Sequence, residues 1–246
     1  MENDLAIVTG ASSGIGAALT RRLAATGRPV VAVARREAPL AELSDSHPSV
    51  IPCPADVADT AGQAAITAAA ADRPVSLLIH NAGVLEPVGP LVEQSPDALR
   101  QALAINLEAP IALTRALVGQ MPAGARILHV SSGAAHRALA GWGAYCISKA
   151  GLHMAYQILR QELADRDIAV GSVRPGVVDT PMQALIRAQT QEDFPAVERF
   201  RALKAMGELT SAEDAAAFIE AVVNLRDAQR FSEEEWDIRE HSPVTG

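Results

Sequence analysis

The chain has 246 residues, 49% of them hydrophobic and 20% charged, enough for one globular domain with a substantial core. Its net charge of −8 argues against a nucleic-acid partner, which would need a basic face. The longest apolar runs, such as "AIVTG" and "VSLLI", are strand-length, well short of the roughly 20 residues a membrane helix needs.

The opening "MENDLAIVTG" enters a strand with no charged-then-apolar leader before it. Leu5–Thr9 is a short apolar run ending at a glycine, and Ile15–Ala25 has helical spacing in Ile15, Leu19 and Leu23. Val30–Ala34 reads as a second buried strand, followed by a helix around Ala38–Leu43. A brief strand at Val50–Pro52 precedes an alanine-rich helix at Ala61–Ala71. Val75–Ile79, Ala125–Val130 and Ile168–Val173 supply three more strands, separated by helices at about Leu99–Leu117 and Ala144–Ala164. Apolar strands alternating with helices predict a single α/β domain over residues 1–246, a doubly wound parallel sheet covered on both faces. Pro181–Ser211 breaks the rhythm with two short polar helical pieces before a last helix at Ala212–Asn224. An insertion there is expected to cover a ligand crevice at the carboxyl ends of the strands, over about residues 181–210.

"TGASSGIG" (Thr9–Gly16) lies between the first strand and the first helix. Gly10 permits a tight turn, Gly14 lets phosphate oxygens approach the backbone, and Gly16 lets the helix pack closely. A glycine-rich connector that binds nothing would look the same. Tyr145 and Lys149 stand four apart and share a helix face. A phenol with a pKa near ~10 is a sluggish acid or base at neutral pH, and a neighbouring ammonium should bring it closer to working range. Ser132 ends the fifth strand at the same sheet edge and is placed to hydrogen-bond a substrate carbonyl. Cys53 and Cys146 share no metal or redox spacing, so free thiols and a cytoplasmic location are expected. His80, His129 and His153 show no metal-ligand spacing, and no metal is expected; His136 reads as a loop histidine. Asp56 suits either a cofactor contact or a helix cap.

Together, "TGASSGIG", "NAG", a helical Asn106, Ser132 thirteen residues before Tyr145, "YCISK" and "RPGVVDT" resemble the short-chain dehydrogenase/reductase family in the right order along nearly the whole chain. The resemblance implies a Rossmann-type sheet of about seven strands and hydride transfer with a nicotinamide cofactor. It implies Tyr145 as the acid/base, Ser132 as substrate-orienting, Lys149 on the ribose hydroxyls, and Asn106 supporting a water that leads protons to Lys149. Cofactor contacts are implied at Gly10, Ser12, Ser13, Gly14, Ile15 and Gly16, at Asp56 and Val57, at Asn81, Ala82 and Gly83, at Tyr145 and Lys149, and at Pro175, Gly176, Val178 and Thr180. A homodimer or homotetramer, built on the helices carrying Asn106 and Tyr145, is implied in the same way.

An NAD-binding chain would place a carboxylate at the end of the second strand, but position 34 is alanine and Arg35 and Arg36 follow. Guanidinium donors suit a 2′-phosphate, which selects NADP(H) and carbonyl reduction. Asp179–Leu209 resembles the sepiapterin reductase and bacterial benzil reductase branch, which implies a 1,2-diketone or related dicarbonyl as the small-molecule substrate. Ser132, Trp142, Tyr145, Met182 and Gln183 are the expected pocket residues, with Asp237 a loose match to a pterin-holding carboxylate. Two other readings stay open. An NAD-linked secondary-alcohol dehydrogenase would want the acid missing at position 34, and a non-catalytic NADP-binding regulator would have no need of an intact Ser132, Tyr145 and Lys149.

Overall fold

The computed structural model describes residues 4–242, so the expected domain limits at 1 and 246 lie outside the described residues. Strands β1 (Leu5–Thr9), β2 (Val30–Ala34), β3 (Val50–Pro54), β4 (Val75–His80), β5 (Arg126–Val130), β6 (Ala169–Arg174) and β7 (Glu235–Asp237) form one sheet in the order β3-β2-β1-β4-β5-β6-β7. Each pairing is parallel. Helices α1 (Gly14–Ala25), α2 (Glu37–Ser46), α3 (Thr60–Ala70), α4 (Pro96–Leu103), α5 (Ala109–Leu117), α6 (Gly143–Glu162), α7 (Pro181–Ala188), α8 (Val197–Ala205), α9 (Ala212–Val223) and α10 (Ala228–Glu233) fill the connections.

Alternation along β1 explains why both sheet faces must be covered. Ala6 and Val8 pack with Leu19 and Leu23 of α1 and with Phe218, Ile219 and Val222 of α9. Leu5 and Ile7 point the other way, into a layer holding Ile66 of α3, Leu113 and Leu117 of α5 and Tyr156 of α6. Side chains of period two on a strand buried from both sides give the unbroken apolar runs seen in the sequence. The strand order reverses between β1 and β4, and a crevice opens there at the carboxyl ends of the strands.

Three segments differ from the sequence expectation. The helix expected at Leu99–Leu117 is broken: α4 and α5 are joined by a π-helical turn at Ala104–Glu108, in which the Ala109 N–H reaches back to the Ala104 carbonyl. Pro110 has no N–H to give to the Asn106 carbonyl four residues earlier, so the regular ladder cannot continue through this point. The whole run Pro96–Gln120 is long and apolar enough to cross a membrane by length and composition, yet Ile105, Ala109, Leu113 and Leu117 are buried on the sheet. The second difference is β7, only three residues long with an acid at each end, which carries no apolar run. It is held by Trp236, fully buried beside Phe231, and by its register with Ser172 and Val173. Thirdly, the short polar helices of residues 181–210 are not wholly polar in effect. Ile186, Phe194, Val197 and Phe200 bury themselves in a separate apolar cluster with Trp142 and Tyr145.

The first turn of the fold has no spare room. A Cβ on Gly16 would sit 2.3 Å from the Gly10 carbonyl oxygen and 2.5 Å from Asn81 Nδ2. Gly16→Ala should therefore destabilise the protein by about 1–3 kcal/mol through overpacking. A lower urea midpoint at unchanged slope is the expected readout; an unchanged midpoint would mean that the turn relaxes freely.

Candidate active site

A cleft of about 430 Å³ opens over the strand ends. Its floor is the glycine turn: Gly10, Ser12, Ser13, Gly14 and Ile15 all line it. Gly10 has φ +70° and Gly14 φ +53°, left-handed conformations that side-chain-bearing residues rarely adopt. The Gly14 position has a second constraint, since a Cβ there would meet Thr180 Cγ2 at 2.9 Å. Among the described residues, α1 starts with no side-chain cap from Ser13 and no acid in its first turn, which leaves its N–H groups and positive dipole end for an anion.

The turn is tied to the neighbouring strand by polar contacts that the sequence reading did not single out. Thr9 Oγ1 donates to the Ile79 carbonyl and accepts from the N–H groups of Asn81 and Ala82, each at 3.0 Å. Asn81 Nδ2 donates to the carbonyls of Thr9 at 2.9 Å and Gly10 at 3.3 Å. The side chain of Asn81 thus holds the glycine turn, and Asn81, Ala82 and Gly83 line the cleft.

Arg35, Arg36, Asp56 and Val57 form the far wall. Arg36 Nη2 donates to the Ser12 carbonyl and hydroxyl at 3.2 and 3.0 Å, fastening the wall to the turn. Arg35 is largely exposed and 3.9 Å from Asp56, a surface contact worth about 0–1 kcal/mol. The cap of α3 is Asp59, whose side chain accepts from the Gly62 N–H, so Asp56 is free of that duty.

Behind the cleft wall, Ser132, Tyr145 and Lys149 come together. Lys149 Nζ donates to the Val130 carbonyl at 2.8 Å and lies 5.8 Å from the centre of the Tyr145 ring. Gly83 lies between Lys149 and Asn106: a Cβ there would be 3.3 Å from Asn106 Oδ1 and 3.8 Å from Lys149 Nζ. Burial draws the Lys149 ammonium down to about 8. Burial also pushes the Tyr145 phenol up, with a hydrogen bond to Ser132 pulling the other way. The net direction for Tyr145 is upward, where a neighbouring ammonium is expected to lower it: burial of the phenolate is the largest effect.

Asn106 is fully buried and its amide is already engaged. Oδ1 accepts from the Val84 N–H at 2.8 Å, and Nδ2 donates to the Val84 carbonyl at 2.8 Å and to Ser148 Oγ at 3.0 Å. Ser148, unnoticed in the sequence, in turn donates to the Tyr145 carbonyl at 2.9 Å. The side chain of Asn106 is a brace between the Val84 backbone and Ser148 on α6.

The expected pocket residues divide. Met182 lines the cleft with Thr180, Pro181 and Leu185. Trp142 is buried, stacked on Phe194 at 4.6 Å and set edge-on to Tyr145 at 5.7 Å, so it packs beneath the 181–210 segment and does not line the cleft. Gln183 is also buried and off the cleft wall, with Oε1 accepting from Arg187 at 2.7 Å. Pro175, Gly176 and Val178 lie outside the cleft lining; Gly176 packs against Ile238 and Val178 bridges to Thr210. Asp237 is fully buried and held by Arg239 and Arg174, away from the cleft. Leu85, Glu86, Ile105 and Leu185 line the cleft without having been expected. Leu185 had a signal, standing one helical turn beyond Met182. His80 and His129 stack at 5.0 Å in the core, His80 against Thr114. His136 and His153 converge on Glu235, which their spacing gave no reason to expect.

The pKa of Lys149 has a thermodynamic consequence. Because burial lowers it from 10.5 to about 8, the unfolded chain binds more protons than the native one between those values. The penalty of the buried ammonium is fully present below about pH 8 and is relieved as pH rises toward 10.5. The stability of the wild type minus that of Lys149→Met should therefore increase across this window in denaturant titrations. A difference independent of pH would mean that Lys149 is solvated normally.

A family profile described as short chain dehydrogenase matches residues 4–191. The chain is 35% identical over 242 residues to a benzil reductase ((S)-benzoin forming) of Bacillus cereus, covering 93% of this chain and 96% of that protein. It is 33% identical over 214 residues to the protein of the same description in Bacillus subtilis (strain 168), covering 85% and 88%. A short chain dehydrogenase from Burkholderia cenocepacia J2315, solved in complex with NADP, superposes with a TM-score of 0.78 at 29% identity, covering 96% of this chain and 94% of that one. With the seven-stranded sheet, the glycine turn and the Ser132–Tyr145–Lys149 grouping in place, the chain belongs to the short chain dehydrogenase family and is an oxidoreductase.

Proposed function

We propose that the protein reduces a carbonyl of a 1,2-diketone or related dicarbonyl to the alcohol, using NADP(H). The observation that carries this reading is the grouping of Ser132, Tyr145 and Lys149 at the carboxyl end of β5, beside a cleft whose floor is the glycine turn.

The cleft suits a dinucleotide. Positive φ at Gly10 and Gly14 and the uncapped start of α1 make a cradle for a pyrophosphate. Arg35 and the Ser12-bound Arg36 put guanidinium groups beside Ala34, where a carboxylate would oppose a 2′-phosphate. When bound, the nicotinamide supplies the hydride. Ser132 donates a hydrogen bond to the substrate oxygen, and Tyr145 transfers its proton to that oxygen as negative charge develops there. Burial keeps the phenol protonated, the form an acid for carbonyl reduction requires. Lys149, held in place by the Val130 carbonyl, would steady the resulting phenolate and hold the ribose hydroxyls, and the Asn106 carbonyl would support the water that returns a proton.

The substrate class rests on the two benzil reductase relatives, benzil being a 1,2-diketone. Met182 and Leu185 on the cleft side of α7 give an apolar wall for such a substrate. An adjacent carbonyl withdraws electrons and makes its neighbour the better hydride acceptor. Exposed Ile111 on α5 and Ile147, Met154 and Ile158 on α6 support a homo-oligomer built on these helices. Two free cysteines support a reducing, cytoplasmic compartment.

The deciding assay follows NADPH oxidation with paired diketones and monoketones. We expect a higher kcat/KM for each diketone, and Tyr145→Phe to lower kcat by about 10²–10⁴-fold with NADPH binding nearly intact. Preference for the monoketone would refute the substrate class; full activity in Tyr145→Phe would refute the mechanism.

Arg35 tests the cofactor separately. Arg35→Ala should weaken NADPH binding by roughly 10–150-fold, the worth of a charge-assisted hydrogen bond, and leave NADH binding almost unchanged. Equal loss for both cofactors in fluorescence titrations would assign Arg35 to the fold.

A further inference from the structure

Three side chains from distant parts of the chain meet on the far side of α6. His136 follows the short turn after Ser132, His153 lies eight residues beyond Tyr145 on α6, and Glu235 opens β7. His136 Nε2 is 2.6 Å from Glu235 Oε2, and His153 Nδ1 is 3.2 Å from Glu235 Oε1. One donor atom from each residue lies within 4.8 Å of the other two. The rings stand edge to face, with centroids 4.5 Å apart, so their nitrogens converge without stacking.

Two imidazoles and one carboxylate, each on a separate element, form a three-ligand set that Zn²⁺ accepts with a water in the fourth position. Bonds of ~2.0–2.2 Å would set tetrahedral donors about 3.3–3.6 Å apart, inside the span these atoms already cover. The donors also have outer partners. Gln157 Nε2 lies 3.1 Å from His153 Nε2, and Ser172 Oγ donates to Glu235 Oε1 at 3.0 Å. With an ion on Nδ1, His153 Nε2 carries the proton and Gln157 needs only to turn its amide to accept it.

Arg174 is the group that opposes a cation, with Nε 3.3 Å from Glu235 Oε2. That nitrogen makes no hydrogen bond among the described residues, and the remaining guanidinium nitrogens reach Asp237 at 3.3 Å and Glu240 at 3.6 Å. The carboxylates of Glu235, Asp237 and Glu240 outnumber the guanidiniums of Arg174 and Arg239, which leaves the neighbourhood net negative. The His136 side chain is 38% exposed and gives an ion a route from solvent.

We propose that His136, His153 and Glu235 form a binding site for a divalent transition metal of the Zn²⁺ type. Eight residues of helix put His153 about 12 Å along α6 from Tyr145, so the ion takes no part in hydride transfer. It ties three elements together: the loop leaving Ser132, the helix carrying Tyr145, and the edge strand β7. A purely hydrogen-bonded His–Glu–His cluster is the competing account of the same contacts.

The test uses the full-length protein after chelator treatment, titrated with Co²⁺ and then with Zn²⁺. We expect one Co²⁺ per chain with the intense visible absorption of a four-coordinate site, its displacement by Zn²⁺, and a raised Tm in Zn²⁺. His136→Asn, at an exposed side chain that the core does not need, and His153→Gln should each weaken Co²⁺ binding by more than ~100-fold. Gln157→Ala, which removes only an outer partner, should cost about 10–100-fold. No absorption at equimolar Co²⁺, or binding unchanged in His136→Asn and His153→Gln, would overturn the site and leave the hydrogen-bonded cluster. Because the readouts are spectra and melting curves, the outcome does not depend on which substrate the cleft accepts.

Discussion

The junction of β1 and β4 has to satisfy two opposed demands. The strands pair along the sheet, yet their carboxyl ends must part to open a crevice. Thr9 and Asn81 resolve this with side chains. The Thr9 hydroxyl takes the N–H groups that leave the β4 ladder, and the Asn81 amide takes the carbonyls that leave β1. The N–H groups of Asn81 and Ala82 and the carbonyls of Thr9 and Gly10 thereby keep partners where the two strands part. Gly16 then lets α1 press against this fork at a distance no side chain could tolerate. The cleft, the uncapped helix start and the placement of Gly83 between Asn106 and Lys149 all inherit their positions from it.

At the reactive end, burial governs electrostatics more than pairing does. Tyr145 is 8% exposed and Lys149 5%, and each is displaced toward its neutral form. For Tyr145 neutrality is the state that can give up a proton. For Lys149 the charged form is the costly one, and the Val130 carbonyl offsets part of that cost. The two groups reside on one face of α6, so the helix presents both to the same site while hiding them from bulk water. His129 beneath them is brought down to about 3 by burial and by Lys149, and it stays neutral at working pH.

Much of this was legible from residue spacing, for reasons that are local. Strands buried on both faces must be apolar throughout, so β1, β2, β4, β5 and β6 announce themselves. The glycine turn and the Tyr145–Lys149 pair are short-range patterns that survive in linear form. What stayed hidden depends on partners far along the chain. β7 is a strand only because Trp236 finds Phe231 and its backbone finds β6. The π turn reflects the missing N–H of Pro110, a signal present in the sequence but easily read as mid-helix. Trp142 and Gln183 were expected in the cleft because of their neighbours in sequence. Their orientation is set by Phe194, Phe200 and Arg187, which no spacing rule connects to them. His136, His153 and Glu235 are likewise gathered only by the fold.

The stack of Trp142 on Phe194 joins the 181–210 segment to the residue that precedes α6. Trp142 meets Tyr145 edge-on, so the 181–210 segment and Tyr145 share one aromatic contact. Evolution at this enzyme therefore has two kinds of handle. Met182 and Leu185 face the cleft and can change its shape on their own, whereas a change at Phe194 or Phe200 also alters the packing around Tyr145. A change of cleft shape can therefore run through the first pair while the aromatic trio stays intact as a block.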